Sequence, residues 1–440
     1  MIAERYTVHR GWVERELSLG SRSFSSRMAD VSRLGNEAPA WSRWWRSYLR
    51  GVRPEFRGYS TGNLGIVDLF CGCGGLTLGT QEAARAAGLR PAVRLAVDTD
   101  KEALAVYARN LGPERALHAD AGTLVDFHIV GWGRDARFAY PPALLHRALQ
   151  AVRGSVDLVV AGPPCEGHSN LNNRTRRADP RNLLYLDAVA IGIAMDATAI
   201  VIENVPDILH DRSRVADTAV SLLKGSGYDT TQGVLAADEL GLPQTRRRFF
   251  LVGSRSGVLD LQEVARSLAK EPTTVRWAIE DLVDVAQDPV MDSVPALSAE
   301  NRLRIDYLFD HDLYDLPDHM RPACHRNGHT YPSVYGRLRW DCPAGTITTG
   351  FVTPGRGRFI HPSRRRPLTP REAARLQGFP DWYKFHAEHA AIPKKNALAK
   401  WIGDAVPPML GYVAILSVLH GFLVREAPNR AARTETPCLD

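Results

Sequence analysis

Short apolar runs alternate with segments of helical periodicity between Ile66 and Gly253. The runs are rich in valine and isoleucine, which is typical of strands buried on both faces of a sheet. The predicted strands are Ile66–Phe70, Arg94–Val97, Val156–Ala161, Thr198–Ile202 and Phe249–Val252. Predicted helices lie between them, such as Leu76–Ala87 before Gly88 and Asp100–Asn110 before Gly112. Alternating strands and helices predict a doubly wound α/β domain with a mostly parallel sheet.

The alternation stops near residue 254. Proline, aspartate, histidine and arginine are frequent up to about residue 360, and no strand–helix rhythm is visible there. This composition predicts a smaller irregular domain over residues 255–355. A helix start follows at Thr369, with Pro370 in the first helical position and Glu372 completing a capping box. The apolar run 413–424 predicts a last helix that packs back on the sheet and is too short to span a bilayer.

The first 62 residues are rich in arginine, serine and tryptophan, as in WSRWWRSYLRGVRPEFRG. Exposed aromatic and basic side chains can bind nucleic acid by stacking and charge. A helical surface appendage packed by its own tryptophans explains the same composition. The predicted organisation is an extension (1–62), a catalytic domain (63–254), the irregular domain (255–355), a return segment with the final helix (356–425) and a tail (426–440).

Composition narrows the class of protein. A formal charge of +6 and a pI near 9.0 suit a polyanionic partner without requiring one. Six cysteines in 440 residues do not form a disulfide framework. The charged first residues lack the apolar core of a signal peptide. We expect a soluble protein of a reducing compartment, with no membrane association.

Glycines and carboxylates follow three consecutive strand-like runs. Gly72 and Gly74 form a turn between a strand and a helix, where the backbone can approach a ligand closely. Such a turn alone is a weak signal, since dehydrogenases use similar ones. Asp98 ends the next strand, where a carboxylate can accept hydrogen bonds from ribose hydroxyls, and Asp120 follows the third run. Because the carboxyl ends of parallel strands share one edge, the pattern indicates a nucleoside cofactor.

Cys165 follows two prolines just beyond the predicted strand Val156–Ala161. A cysteine thiolate is a strong nucleophile at neutral pH, and the prolines stiffen the loop that carries it. A buried structural cysteine is the usual alternative. Glu203 ends an apolar strand, where burial raises the pKa of a carboxyl and suits it to exchange a proton. The alternative for Glu203 is a salt-bridged glutamate.

Arg246 and Arg248 alternate immediately before a predicted strand, so both can face one side. Arginines there can hold a carbonyl oxygen or a phosphate, although a solvated basic run has the same pattern. A separate cluster of Cys324, His325 and His329 lacks the regular paired spacing of a zinc site, and we predict no metal.

Six segments together carry a family resemblance. They are GIVDLFCGCGGLTLG, AGPPCEGHS, ENVP, PQTRRRFFLVG, RPLTPREAARLQGFP and IGDAVPP, in this order. The set resembles the signature motifs of cytosine-5 DNA methyltransferases, over roughly residues 64–260 and 335–415. The resemblance implies a Rossmann-like class I methyltransferase fold with a smaller target-recognition domain. It also implies S-adenosylmethionine as cofactor and double-stranded DNA as partner.

The resemblance further implies roles for individual residues. Cys165 would attack carbon 6 of a flipped cytosine, and Glu203 would hold ring nitrogen 3 and the exocyclic amine. Arg248, with Arg246 in support, would hold the carbonyl oxygen of the base and the catalytic loop. Phe70 would pack on the adenine of the cofactor. The implied cofactor-binding residues are Phe70, Gly72, Cys73, Gly74, Asp98, Thr99, Asp120, Ala121, Gly162, Pro164, Leu184, Asp404 and Ala405.

Two positions depart from the family pattern. Asp404 replaces the asparagine of the last motif, and Thr99 stands where many members carry a larger side chain. Neither change removes a catalytic group. The Asp404 carboxylate either supports the positively charged cofactor or only caps the final helix.

Three other functions fit parts of the sequence. Transfer-RNA methyltransferases built on the same motifs carry a Cys-Phe-Thr signature, which this sequence lacks. The intact Cys165, Glu203 and Arg248 count against a catalytically silent DNA-binding relative, and the glycine spacing counts against a nicotinamide oxidoreductase. We expect a monomeric enzyme of the bacterial cytoplasm that serves restriction–modification, phage defence or solitary DNA modification.

Overall fold

The computed structural model describes residues 2–56, 62–164, 180–326, 333–386 and 392–425. The chain begins with an antiparallel sheet and one helix, which together are called the N-terminal module below. Its elements are β1 (Ile2–His9), β2 (Trp12–Leu19), β3 (Arg22–Ala29), α1 (Ala40–Leu49) and β4 (Glu55–Phe56). The strands pair in chain order, β1-β2-β3-β4.

The N-terminal module differs from both interpretations of its sequence. The helical interpretation is right for α1 and wrong for the three long strands. Strand β2 buries every second residue, but Arg15 is one of them, so a charged side chain interrupts the apolar alternation. Trp44 and Trp45 are buried, and they are therefore not available to stack on nucleic acid.

The middle of the chain forms a seven-stranded sheet between two layers of helices. In chain order its elements are β5 (Asn63–Leu69), α2 (Gly75–Ala86), β6 (Arg90–Asp98), α3 (Lys101–Leu111), β7 (Ala116–His118), the short ribbon strands β8 (Val125–Asp126), β9 (Ile129–Val130), β10 (Arg137–Phe138) and β11 (Ala143–Leu144), then α4 (Arg147–Val152), β12 (Leu158–Ala161), α5 (Leu184–Ala194), β13 (Ala199–Asn204), α6 (Val215–Gly225), β14 (Asp229–Ala236) and β15 (Arg247–Ser254). The order across the sheet is β14-β15-β13-β12-β5-β6-β7. The doubly wound fold is confirmed, and all five predicted strands are present.

One strand of this sheet runs against the others. Strands β13, β12, β5, β6 and β7 are parallel, whereas β15 is antiparallel to both of its neighbours, β13 and β14. The register pairs Asn204, the last residue of β13, with Phe249 near the start of β15. The first residues of β15 therefore lie at the edge where the parallel strands end.

The remainder of the chain divides between two apolar cores. Its helices are α7 (Leu261–Ser267), α8 (Val275–Ile279), α9 (Ala299–Asp310), α10 (Pro370–Leu376), α11 (Lys395–Asp404) and α12 (Pro408–Arg425). Buried residues from Leu261 to Met291 join the main core. A separate core, called the small domain below, contains Ile305, Leu308, Leu316, Val334, Tyr335 and Ile360. The capping box predicted at Thr369 begins α10.

Helix α12 is the apolar helix predicted at the end of the chain. The stretch 395–423 is long and apolar enough to cross a membrane by length and composition, but 89% of its most apolar 18 residues are buried inside the protein. Its neighbours include α2, β13 and β15, so the apolar surface belongs to the core of this fold.

Glycines let α2 and α12 pack backbone to backbone. A Cβ atom at Gly75 would lie 2.2 Å from the carbonyl oxygen of Val406, and one at Gly79 would lie 2.0 Å from that of Pro408. Neither carbonyl can rotate away without moving the start of α12. This contact seats α2, and with it the glycine turn at its amino end, against the last helix.

We expect Gly79→Ala to destabilise the fold, because its methyl group collides with backbone rather than with a flexible side chain. The expected loss in the free energy of unfolding is about 3 kcal/mol, at the upper end for overpacking. Gly225→Ala, also in a helix but with open space around its Cβ position, is the control and should change stability by less than about 1 kcal/mol. Equal urea midpoints for the two variants would contradict the close-packing account.

Candidate active site

The glycine turn after β5 has an unusual backbone and an open outer face. Phe70, Gly72 and Gly74 all have positive φ, at 57°, 50° and 94°. The non-glycine Phe70 is strained in this region, a feature that concentrates at functional sites. A Cβ atom at Gly72 would meet no atom within 4 Å, so there is room for a ligand against the turn.

Asp98 anchors this turn from the end of β6. Its carboxylate accepts hydrogen bonds from the backbone N–H of Gly72 and of Asp100, each at 2.7 Å. Burial raises the pKa of Asp98, while these two hydrogen bonds lower it. Thr99 follows on the surface. The predicted cofactor residues Phe70, Gly72 and Asp98 therefore meet at one edge of the sheet.

A buried carboxyl supports the turn from below. Asp68 accepts a hydrogen bond from the Thr77 hydroxyl at 2.6 Å, and Tyr107 donates to the same hydroxyl at 3.0 Å. Burial raises the pKa of Asp68 to about 8. At neutral pH the folded protein therefore keeps a proton on this carboxyl, beneath the amino end of α2.

The ends of β7 and the start of α5 form a second wall of the site. Asp120 accepts a hydrogen bond from Gly122 N–H at 3.0 Å, and Ala121 is buried beside it. A Cβ atom at Gly122 would lie 3.4 Å from both Leu184 and Asp187. Burial, and then the charge of Asp120, raise the pKa of Asp187 to about 6. The prediction placed Asp120 and Leu184 together but missed Asp187, whose sequence context is an ordinary helix.

Glu203 and Arg248 form a nearly buried ion pair. Arg248 Nε lies 2.8 Å from Glu203 Oε1, and their side chains are 13% and 8% exposed. Burial raises the pKa of Glu203, while Arg248 and then Arg246 lower it. Glu203 is the next-to-last residue of β13, as predicted for the end of this strand, and Arg248 is the second residue of β15. The antiparallel direction of β15 is what brings the two side chains to one edge.

Arg246 is buried and serves a different set of contacts. Its guanidinium donates to the carbonyl oxygens of Ile347 and Gly403, at 2.8 and 3.0 Å. These carbonyls belong to the segment that returns from the small domain and to the end of α11. Arg246 therefore links the returning segment to the end of α11 beside the site, in addition to its electrostatic effect on Glu203.

The loop after β12 begins next to Glu203. The side-chain amide of Asn204 donates to the carbonyl oxygen of Pro163 at 3.3 Å, and Gly162 N–H donates to Leu69 O at 3.2 Å. A Cβ atom at Gly162 would lie 3.8 Å from Glu203 Oε2. Cys165 lies outside the described residues, one position after Pro164. Asn204 is a further residue that the sequence interpretation missed.

The end of α11 closes the remaining side of the glycine turn. The Cys73 thiol donates to Trp401 O at 3.2 Å, and Trp401 Nε1 donates to Asp100 at 3.1 Å. Asp404 ends α11 and pairs with Lys400 at 2.7 Å. It lies four residues before α12, so the alternative that Asp404 caps the final helix is wrong. Ala405 is buried beside it, and Gly74 packs against Tyr107.

The second cluster noted in the sequence does not form a described metal site. Among the described residues, no three His, Cys, Asp or Glu side chains are placed to share a metal ion. His325 is described, whereas His329 and the side chain of Cys324 lie outside the described part of the chain.

Comparisons with known proteins identify the family to which the chain is similar. A family described as C-5 cytosine-specific DNA methylase matches residues 64–419. Type II methyltransferase M1.BsuMI of Bacillus subtilis (strain 168) is 39% identical over 375 residues, which cover 85% of this chain and 84% of that protein. Type II methylase M.HgiDII of Herpetosiphon aurantiacus is 29% identical, with 80% and 94% covered. The crystal structure of the S. pombe Dnmt2 methyltransferase has a similar fold, with a TM-score of 0.53, 18% identity and coverage of 83% of this chain and 99% of that one.

We expect the buried Asp68 to make stability depend on pH. The pKa of Asp68 is about 8 in the folded protein and lies near 3.8 when the chain is unfolded, so stability is lost as pH rises through this window. Asp68→Asn removes the titration. Its free energy of unfolding relative to wild type should rise by roughly 1.4 kcal/mol per pH unit between pH 5 and 8. Urea titrations across this range measure the difference, and a pH-independent difference would contradict the assignment.

Proposed function

The chain belongs to the C-5 cytosine-specific DNA methylase family, and we propose that this DNA cytosine-5 methyltransferase acts through a covalent adduct of Cys165 with a flipped cytosine. The observation that carries the proposal is the Glu203–Arg248 ion pair beside the loop that leads to Cys165. A duplex hides carbon 6 and carbon 5 of a stacked base, so the base must leave the helix to reach such a site.

The start of the Pro-Pro loop is held where a nucleophile is needed. Asn204, next to Glu203 in β13, holds the carbonyl oxygen of Pro163 two residues before Cys165. One strand end thus positions both the carboxyl and the loop of the thiol. This arrangement supports Cys165 as the nucleophile. Pro163, only two residues before Cys165 in the chain, is hydrogen-bonded to Asn204, the neighbour of Glu203.

The protonated form of Glu203 is suited to bind the ring of the base. Its burial raises the pKa of the carboxyl, and Arg248 and Arg246 limit that rise. A protonated Glu203 donates to ring nitrogen 3 while its other oxygen accepts from the exocyclic amine. Arg248, 2.8 Å from the carboxylate, fixes its orientation and can turn a remaining N–H toward the carbonyl oxygen of the base.

The proposed reaction has three steps: addition of the thiolate, transfer of the methyl group, and elimination. The Cys165 thiolate adds to carbon 6, and the electron pair of the ring double bond moves to make carbon 5 nucleophilic while Glu203 holds nitrogen 3. S-adenosylmethionine, when bound, would supply the methyl group from its sulfonium, and the sulfur–methyl bond would break as carbon 5 takes the methyl, leaving a neutral thioether. Carbon 5 then loses its proton to water, and the carbon 6–sulfur bond breaks to restore the ring and the thiolate.

The residues around the glycine turn fit this cofactor. Open space at Gly72 and the strained backbone of Phe70 leave a cradle against β5. Asp98 would bind the ribose of the cofactor. The adenine would be lined by Asp120, Ala121 and Leu184. The remaining walls of the cofactor site would be formed by Thr99, Gly162 and Pro164. Asp404 is paired with Lys400, so its charge toward the sulfonium is partly offset.

We propose that the small domain recognises the target sequence in double-stranded DNA. Its surface carries arginines held over aromatic rings, including Arg339, 3.9 Å over Tyr314, and the half-exposed Arg365, 5.4 Å over Phe309. Arginine can read guanine edges or hold phosphates. The enzyme would act as a monomer in restriction–modification, phage defence or solitary modification.

Cys165→Ser should abolish methyl transfer while leaving cofactor binding intact. A serine hydroxyl is not ionised at neutral pH, so we expect a loss of at least roughly 10⁴-fold in the rate on DNA. The dissociation constant for S-adenosylmethionine, measured by calorimetry, should stay within about twofold, since Cys165 is not a main cofactor contact. Cys342→Ser, at an exposed cysteine, is the control and should retain full activity. A Cys165→Ser enzyme with residual activity near wild type would refute the nucleophile.

Exchange of residues 297–336 for the corresponding segment of a relative should change the methylated sequence. The segment carries most of the small-domain core and leaves the main core untouched. The affinity for S-adenosylmethionine should remain within about twofold. Sequencing that detects methylcytosine, in DNA from cells that express the chimera, reads the outcome. An active chimera with the wild-type target would place recognition elsewhere.

A further inference from the structure

The N-terminal module lies outside the matched family region but is built into the main core. The family match begins at residue 64. Arg15 of β2 is fully buried, pairs with Glu82 of α2 at 3.0 Å and lies 4.6 Å over the Trp44 ring. Tyr412 of α12 donates a hydrogen bond to Glu4. One side of the module is therefore fastened to the two helices that seat the glycine turn.

On the side of the module away from these contacts, helix α1 packs against residues 277–281. Trp277 Nε1 donates to the Ser42 hydroxyl at 2.8 Å, and Arg46 Nη2 lies 2.6 Å from Glu280 Oε1. Arg50 pairs with Asp281 at 3.3 Å. Eight consecutive residues of α1, 42–49, are buried, although the helix carries a polar face. The polar side chains of α1 therefore make hydrogen bonds and ion pairs with other parts of the protein.

These partners lie on α8 and the residues just after it, where the chain that returns from the small domain docks on the main core. Val275 N–H donates to Cys342 O at 3.0 Å, and Arg276 N–H donates to Trp340 O at 2.9 Å. Arg276 also pairs with Asp341 at 3.0 Å. Segments 275–282 and 340–342 are called the hinge below. Helix α1 contacts the 275–282 segment of this hinge directly.

Arg46 is more deeply buried than Arg50, the other arginine that reaches the hinge. Its side chain is 2% exposed, whereas that of Glu280 is 41% exposed. A cation removed from water needs its partner in place, so the position of Glu280 is tied to that of α1. The Arg27–Glu55 pair of the same module is 44% and 68% exposed, and such surface pairs constrain little.

We propose that Arg46 is a positioning residue for target recognition, and that the N-terminal module clamps the hinge so that the small domain keeps one orientation over the active site. The inference rests on the proposed recognition role of the small domain. Arg46 acts through Glu280 and the hinge, and neither residue needs to touch DNA.

The test uses the full chain with Arg46→Met, and with Arg27→Met as the matched control. The readout is the ratio of methylation rates on the target duplex and on a duplex with one base pair changed beside the cytosine. We expect Arg46→Met to lower this ratio at least fivefold, with the dissociation constant for S-adenosylmethionine within twofold of wild type. Arg27→Met should match wild type. Glu280→Gln should reproduce the loss, and adding it to Arg46→Met should cause no further loss.

Hydrogen exchange at the backbone amides of residues 275–282 tests the clamp separately from the proposed recognition role of the small domain. Faster exchange in Arg46→Met, together with the lower ratio, supports the clamp. Unchanged exchange and an unchanged ratio overturn it. Faster exchange with an unchanged ratio means that the hinge is clamped but the small domain does not select the target, which overturns the recognition role instead.

Discussion

The antiparallel direction of β15 is the constraint on which the candidate active site depends. Parallel strands present only their carboxyl ends at the edge where cofactor and base would bind. Because β15 runs the opposite way, its first residues reach the same edge, and Arg248 lies 2.8 Å from Glu203. A carboxyl buried on β13 without this cation would be costly to ionise and poorly oriented. The reversed strand thus supplies the positive charge that lets a buried glutamate keep a defined position.

The proposed cofactor side of the candidate site depends on close backbone packing behind it. Gly75 and Gly79 let α2 approach Val406 and Pro408, so the turn from Phe70 to Gly74 is held from beneath. The N-terminal module extends this support, since Arg15 bonds to Glu82 on the same helix. The first strands and the last helix of the chain therefore act together on one turn, although they are far apart in sequence.

The sequence predicted the parts that depend on local pattern. The five strands, the helices beside them and the strand-end residues Asp98, Asp120 and Glu203 follow from apolar runs and their neighbours. The strand direction of β15 could not be read from its apolar run, which is the same in either direction. Only the family resemblance placed Arg248 near Glu203. Strand β2 was not predicted, because Arg15 interrupts its apolar alternation. A buried arginine whose partner is distant in sequence cannot be told from a solvent-exposed one by the local pattern.

The most direct test of the account is to locate the covalent bond between protein and DNA. A duplex with 5-fluorocytosine at the target position should trap the enzyme in the presence of S-adenosylmethionine, because carbon 5 then carries no proton to lose. Proteolysis and mass spectrometry of the trapped complex identify the modified peptide. The account predicts an adduct on Cys165. An adduct on another residue, or efficient methylation of ordinary cytosine with no trapped complex on the fluorinated duplex, would contradict it.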